Sequence, residues 1–387
     1  MKKERTGGSA AVIFAHPLFF SYLAMFKLTF DMKRLIITLT AAAIVFSCSD
    51  RTASDGIRVI DADLTGKEVI ELNLADLKKT VLEYSDESII GYATNFLQAP
   101  HGYILESSSG NTVRLMYFDR EGQYICDISH QGRGPGEFLD VSSIFMTGDT
   151  LTVASFYDKE KLLRYLITPD GYEPLAGVPI KQLDWSISKI FATPDIPGRY
   201  FVKNTWNGTP GYTTPLFTIY DEDWNIVDTC RTKHPEGGYS SSYPISHAGD
   251  RIYLNQAYSD TIYVAYKDRI DPALIIDFGQ SDYPADIKYN VMKRYEFIKA
   301  HPDAPYLMHN GSMITADKAY LYLSSAQGPY ILVYDMAEDT STFYRIMDED
   351  GDAVAMSYIF ASPDGKINGI FQSVSDKNPA VYDISSL

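Results

Sequence analysis

Apolar and polar positions alternate along this chain in short bursts, and turn residues separate the bursts. Asp250-Arg251-Ile252-Tyr253-Leu254-Asn255 is followed by Asp260-Thr261-Ile262-Tyr263-Val264-Ala265. The same phrasing returns at Asp317–Leu323 with Tyr330–Asp335, and at Gly365–Phe371 with Ala380–Ile384. A period of two bounded by Gly and Asp is the pattern of β-strands joined by tight turns. These units open at Gly102, Asp149, Gly198, Asp250, Asp317 and Gly365, at spacings of 47, 49, 52, 67 and 48 residues. Repeats of that length belong to propellers and solenoids. A short strand precedes each opening, as in Val141–Met146, Ser186–Phe191 and Ser357–Phe360, and third strands end in polar turns such as Asp119-Arg120-Glu121-Gly122. The pattern predicts an all-β protein, a six-bladed β-propeller with four-stranded blades.

Two irregularities refine that reading. The sixth unit reaches Leu387 before a fourth strand can form, while Val69–Leu74 carries an unused strand pattern. We therefore expect that N-terminal strand to complete the last blade, which would close the ring and cover its edges. The long step between blades 4 and 5 contains Ile287, Val291, Tyr295 and Ile298, spaced as one face of a helix. Asp282 and Pro284 suit its start and His301-Pro302 its end, so one inserted helix is expected over 284–300. Its remaining faces would carry Lys288, Lys293, Arg294 and Glu296.

The N-terminal stretch follows another grammar. From Met32 the basic pair Lys33-Arg34 precedes the apolar run Leu35–Phe46, and Val45-Phe46-Ser47-Cys48 resembles a bacterial lipobox. An apolar run of 12 residues is too short to span a bilayer. A membrane hairpin pairing Ala11–Phe26 with Leu35–Phe46 is the competing reading, which His16-Pro17 and that length oppose. Residues 1–47 then form a leader, with Met32 as a possible true start, and Cys48 is the lipidation site. Residues 48–66 form a small, polar tether, and 67–387 the propeller. Stable anchoring needs about two acyl chains, so the lipid would be the domain's sole link to the membrane. The leader holds 6 of the 34 Lys and Arg and 2 of the 50 Asp and Glu, leaving 28 against 48, or −20. That balance disfavours nucleic acid as a partner. Cys126 and Cys230 fall in fourth strands of the non-adjacent blades 1 and 3, too far apart for a bridge, and are expected as half-buried thiols.

The connection after blade 1 reads Gly132-Arg133-Gly134-Pro135-Gly136-Glu137-Phe138. Three glycines permit positive φ and close backbone approach, and a compact loop is suited to carrying the chain from rim to axis. With the lipobox and the six repeats, this loop makes the chain resemble the six-bladed propeller lipoproteins of Bacteroidetes-type bacteria, with their GKGPGEF-like loop and a fold related to NHL propellers. That resemblance covers residues 57–387. It implies a lipid-anchored cell-envelope protein, at the outer membrane, often encoded near glycan-uptake genes, and it implies no catalytic residues.

Loop lengths separate the two faces of the expected disc. First-to-second strand turns are tight in most blades, whereas the opposite face collects longer loops, where function usually sits. That face would carry Arg133 and Glu137, Tyr157, the loop 206–212 with Trp206, Tyr258 and Gln327, with Lys189, His247 and His309 near the channel mouth. Its ligand-binding candidates are Arg133, Glu137, Lys189, Trp206, His247, Tyr258 and His309. The 29 tyrosines and 3 tryptophans suit sugar stacking as well as interblade packing. No HExxH, CxxC, G-x-S-x-G or Walker motif occurs, and the seven histidines lack metal-ligand spacing, so no catalytic residue, metal or cofactor is assigned. The expected role is a non-catalytic binding or scaffold lipoprotein for a glycan, a peptide or an outer-membrane protein partner. An envelope enzyme acting on glycans or lactones, with channel-mouth carboxylates and calcium, is the alternative.

Overall fold

The structure is a computed structural model and describes residues 57–155, 161–181, 187–204, 215–231, 245–256, 259–288, 290–362, 365–371 and 377–387. Six sheets, each built on four antiparallel strands, form the blades of a propeller. Blade 1 contains Tyr92–Ala99, Gly102–Ser109, Thr112–Asp119 and Tyr124–Asp127, and blade 2 Ser143–Thr147, Thr150–Ala154, Lys161–Thr168 and Gly171–Pro179. Blade 3 follows with Ile187–Phe191, Tyr200–Asn204, Phe217–Tyr220 and Ile226–Cys230. Blade 4 has Ser246–Ala248, Arg251–Leu254, Thr261–Ala265 and Ile270–Asp277, and blade 5 Met308–Ile314, Lys318–Ser325, Gly328–Asp335 and Thr340–Met347. Blade 6 consists of Met356–Ala361, Ile367–Phe371 and Ala380–Asp383, completed by Lys79–Val81. Each predicted opening falls at or just before a second strand. The first strand of each blade is innermost, as contacts among neighbouring first strands around the ring show.

Turn chemistry explains why the strands reverse where they do. Asp119 accepts hydrogen bonds from the backbone N–H groups of Glu121 and Gln123 at 3.0 and 2.7 Å, and Asp221 accepts the equivalent bonds from Asp223 and Asn225. An Asp bonded to the backbone two residues on is an Asx-turn. The turn then passes through left-handed backbone at Gly122 (φ 86°) and Trp224 (φ 61°). A bulky residue there is strained. Trp224 stacks on Tyr200 at 4.5 Å and donates its indole N–H to Pro179 O at 2.9 Å, stapling blade 3 to blade 2. Tyr117 does the same between blades 1 and 2, donating to Thr168 O at 3.0 Å.

Ring closure departs from expectation in one respect. An N-terminal strand does complete blade 6, but it is Lys79–Val81, antiparallel to Ala380–Tyr382. Val69–Asn73 instead runs parallel to the outer strand of blade 5, and Arg58–Asp61 runs parallel to the outer strand of blade 4. Residues 58–81 thus cover the outer edges of two blades before closing a third, which removes three exposed edges. Asp63 pins the path by accepting from Gln280 N and Ser281 Oγ, both at 3.0 Å. The Gln280 bond leads the causes that bring its carboxyl down to about 2.

The insertion between blades 4 and 5 is two helices, α1 (Ala285–Lys288) and α2 (Val291–Ala300), and not one. Asn290 is extended (φ −118°, ψ 109°) and caps α2 by accepting from Lys293 N at 3.0 Å. That break shifts the phase of the second helix. Tyr295, expected in the buried stripe, is exposed, while Lys288 and Arg294, expected on outer faces, are buried. Lys288 Nζ lies 2.6 Å from both Asp260 and Asp282, and Arg294 donates to Lys288 O at 2.5 Å. The insertion is therefore tied to blade 4 through its basic residues. Among the described residues, no helix is long and apolar enough to cross a membrane. Cys126 is half-buried and Cys230 buried, in the predicted fourth strands.

Candidate functional site

A charged cluster is buried near the axis, at the ends of the strands that lead to the longer loops. Its frame is backbone register. Lys189, on the first strand of blade 3, lies directly opposite Lys203 on the second. Both are about as buried as the apolar core, at 5% and 3% exposure. Like charges paired across strands are destabilising, and burial adds a desolvation penalty. Lys189 Nζ crosses to blade 1 and donates to Asn95 Oδ1, while Asn95 Nδ2 donates to the buried Glu106 carboxylate. Blade 2 separates blades 1 and 3 in the ring, so this contact spans the axial region.

Burial dominates the acid–base character of the cluster. It brings the Lys189 ammonium down to about 8, with Glu106 pulling in the opposite direction. Lys203 falls to about 7, first through burial and then through the charge of Lys189. Burial also raises the Glu106 carboxyl above its ordinary range, opposed by Thr94, Asn95 and Lys189. His309 accompanies them at the same strand ends in blade 5. Its Nδ1 lies 3.1 Å from Ser259 O, and burial brings the ring down to about 4. His309 Nε2, Gln256 Oε1 and Ser312 Oγ are buried without a hydrogen-bond partner among the described residues. Buried polar atoms of native proteins are nearly all bonded, so such a set marks a place where polar contacts are to be made.

The other candidates lie elsewhere or outside the described residues. His247 sits beside the tight turn of blade 4, exposed, its ring 5.4 Å from Phe191, at the opposite strand end from His309. Trp206, Tyr258, Tyr157 and Cys48 lie outside the described residues. Arg133 is exposed at the tip of its loop. Glu137 turns back on that loop: its carboxylate accepts from Gly134 N at 2.6 Å and lies 2.7 Å from His130 Nε2. These contacts, the Gly134 bond first, hold its carboxyl below the usual range. Added Cβ atoms on Gly132 or Gly134 would overlap that carboxylate, so a side chain at either position would displace it. Gly136 (φ 78°) accepts at its carbonyl from Ser129 Oγ at 2.6 Å and from Tyr165 OH at 2.7 Å, and Phe138 is fully buried. The loop is thus a wedge between the outer halves of blades 1 and 2.

Asn95, Glu106 and Lys203 were absent from the sequence-derived set. Glu106 interrupts the apolar run Tyr103-Ile104-Leu105, and Lys203 follows Tyr200-Phe201-Val202. A charge inside such a run was the available signal. Among the described residues, no three His, Cys, Asp or Glu side chains converge as a metal site.

Over residues 57–378 the sequence matches the family described as Domain of unknown function (DUF4934). The chain belongs to that family. No curated protein matches this DUF4934 chain. Among solved structures it is similar to a protein of Bacteroides fragilis NCTC 9343 described as a "putative exported protein", with 17% identity and a TM-score of 0.62 over 84% of this chain and 99% of that one. At this identity the likeness is one of fold. A weaker likeness, at 11% identity and a TM-score of 0.36, links 79% of this chain to 39% of the extracellular domain of a "putative hybrid two component system" of B. thetaiotaomicron.

Proposed function

We propose that this DUF4934 chain is an exported cell-envelope lipoprotein, anchored through Cys48 at the outer membrane, whose propeller binds an acidic glycan at the axial mouth without transforming it. The observation that carries this reading is the cross-strand pair Lys189 and Lys203, buried together, with Lys189 reaching the Glu106 carboxylate through Asn95. A protein gains no stability from such a pair, whereas a bound carboxylate or sulfate would be met by two desolvated amines. Asn95, Gln256 and Ser312 supply amide and hydroxyl groups of the kind that recognise sugar hydroxyls. Export is supported by the leader before Cys48 and by the description of the B. fragilis protein of the same fold.

The test is a panel of neutral glycans, acidic glycans and peptides, titrated against wild type and Lys203→Met. An acidic glycan should bind, its neutral counterpart should bind at least tenfold more weakly, and Lys203→Met should lose at least tenfold. Equal binding of neutral and acidic members, capture of peptides alone, or an unaffected Lys203→Met variant would each refute the reading.

A further inference from the structure

The disc carries a concavity on the opposite face from the axial cluster, between blades 2 and 3. It encloses about 330 Å³, within the usual range of about 300–1,000 Å³ for small-molecule sites. One wall is dictated by strand register. Phe145, Thr152 and Arg164 form a row of cross-strand neighbours on three strands of blade 2, and so share one face of that sheet. Two residues along, Thr147 and Thr150 continue the row, and Leu162 and Val178 extend it on the other side. The other wall comes from blade 3, whose connection between its first two strands, residues 192–199, is far longer than the two-residue turn 148–149 of blade 2. This connection brings Pro194 and Pro197 over the cleft, and Tyr200 and Glu222 close its end.

What distinguishes the cleft is one cation. Arg164 is half-buried, and its guanidinium makes no hydrogen bond or ion pair among the described residues. The neighbouring Arg199 is engaged, donating to Lys267 O at 2.8 Å and to Gly198 O at 2.7 Å, and the Glu222 side chain lies beside Gly198 at the end of the cleft. Arg164 is therefore a planar, permanently charged fork beside threonine hydroxyls, over a floor of Phe145, Leu162 and Val178. A guanidinium pairs best with two oxygens of one carboxylate, and a half-polar, half-apolar wall suits a ring with an apolar face and hydroxylated edges.

We propose that this cleft binds a small carboxylate-bearing ring of the sugar-acid class, at a site separate from the axial lysines. Arg164 holds the carboxylate, Thr147, Thr150 and Thr152 meet the hydroxyls, and the apolar floor takes the ring face. Glucuronate and glucose, which differ at that carboxylate, are the probes, titrated calorimetrically into the full-length chain in detergent. Glucuronate should bind with a dissociation constant of about 1 mM or tighter, and glucose at least tenfold more weakly. Because Arg164 bonds to nothing among the described residues, Arg164→Gln should melt as wild type yet bind glucuronate at least tenfold more weakly, with Arg164→Lys in between. In Lys203→Met the Arg164-dependent binding of glucuronate should remain, which separates this site from the axial one. Equal binding of glucose, no binding of glucuronate at about 10 mM, or an unaffected Arg164→Gln variant would overturn the proposal. Loss of binding in Lys203→Met would also overturn it, by placing the sugar acid at the axis.

Discussion

Replacing Lys203 by Met should make the protein more stable, and by an amount that depends on pH. The folded state holds the Lys203 proton less tightly than the unfolded chain, about 7 against 10.5. Stability is therefore lowest below about pH 7, where both states are protonated, and recovers as pH rises towards 10.5. Each pH unit of that interval corresponds to about 1.36 kcal/mol, so the cost at pH 7 is on the order of 4 kcal/mol, falling to about 1 at about pH 9.5. Lys189, brought down to about 8, adds a cost of the same sign. Methionine has a similar length and no charge, and it also relieves Lys189 of its cationic neighbour. Urea denaturation of wild type and Lys203→Met at the two pH values measures the difference. The variant should gain up to a few kcal/mol at pH 7 and clearly less at about pH 9.5. A variant less stable than wild type at pH 7, or one with the same gain at both values, would refute the reasoning.

The closing strand can be tested by truncation: a chain starting at Leu77 loses both outer strands but keeps Lys79–Val81, and should melt cooperatively at a lowered temperature. A chain starting at Leu82 should lose the cooperative melt, and equal melts for the two would show that Lys79–Val81 does not close the ring. In the wedge loop, Gly132→Ala and Glu137→Ala should each lower the melting temperature, and the double variant should lose less than the sum, because the new Cβ and the carboxylate compete for one space. Additive losses would show that the two residues act separately. Cys48→Ala should move the protein from the membrane to the soluble fraction, and unchanged attachment would remove the lipid anchor from the account.

The six blades were legible because each begins with a Gly or Asp turn between alternating strands, and those turns are local chemistry. The closing strand was not. Val69–Leu74 is the more apolar segment, yet it lies on an outer edge, whereas the closing strand Lys79–Val81 is polar with two exposed positions. An edge position asks for backbone pairing and little apolar surface, so hydrophobicity does not rank the two. The helix prediction failed at Asn290, since a stripe at 287, 291, 295 and 298 presupposes an unbroken helix. Glu137 illustrates a further limit: a carboxylate three residues beyond a glycine can bind its own loop, which spacing alone does not distinguish from a channel-facing group. Glu106 and Lys203 escaped because second strands are covered on both faces, so alternation there says nothing about which way a charge points.

The most direct test of the axial site is a crystal structure with an acidic glycan selected from the panel. The account predicts that the glycan's carboxylate or sulfate lies within hydrogen-bonding distance, about 3 Å, of Lys189 Nζ or Lys203 Nζ, with sugar hydroxyls near Gln256, His309 or Ser312. A glycan seated on the tight-turn face or the outer rim, with both lysines untouched, would contradict it.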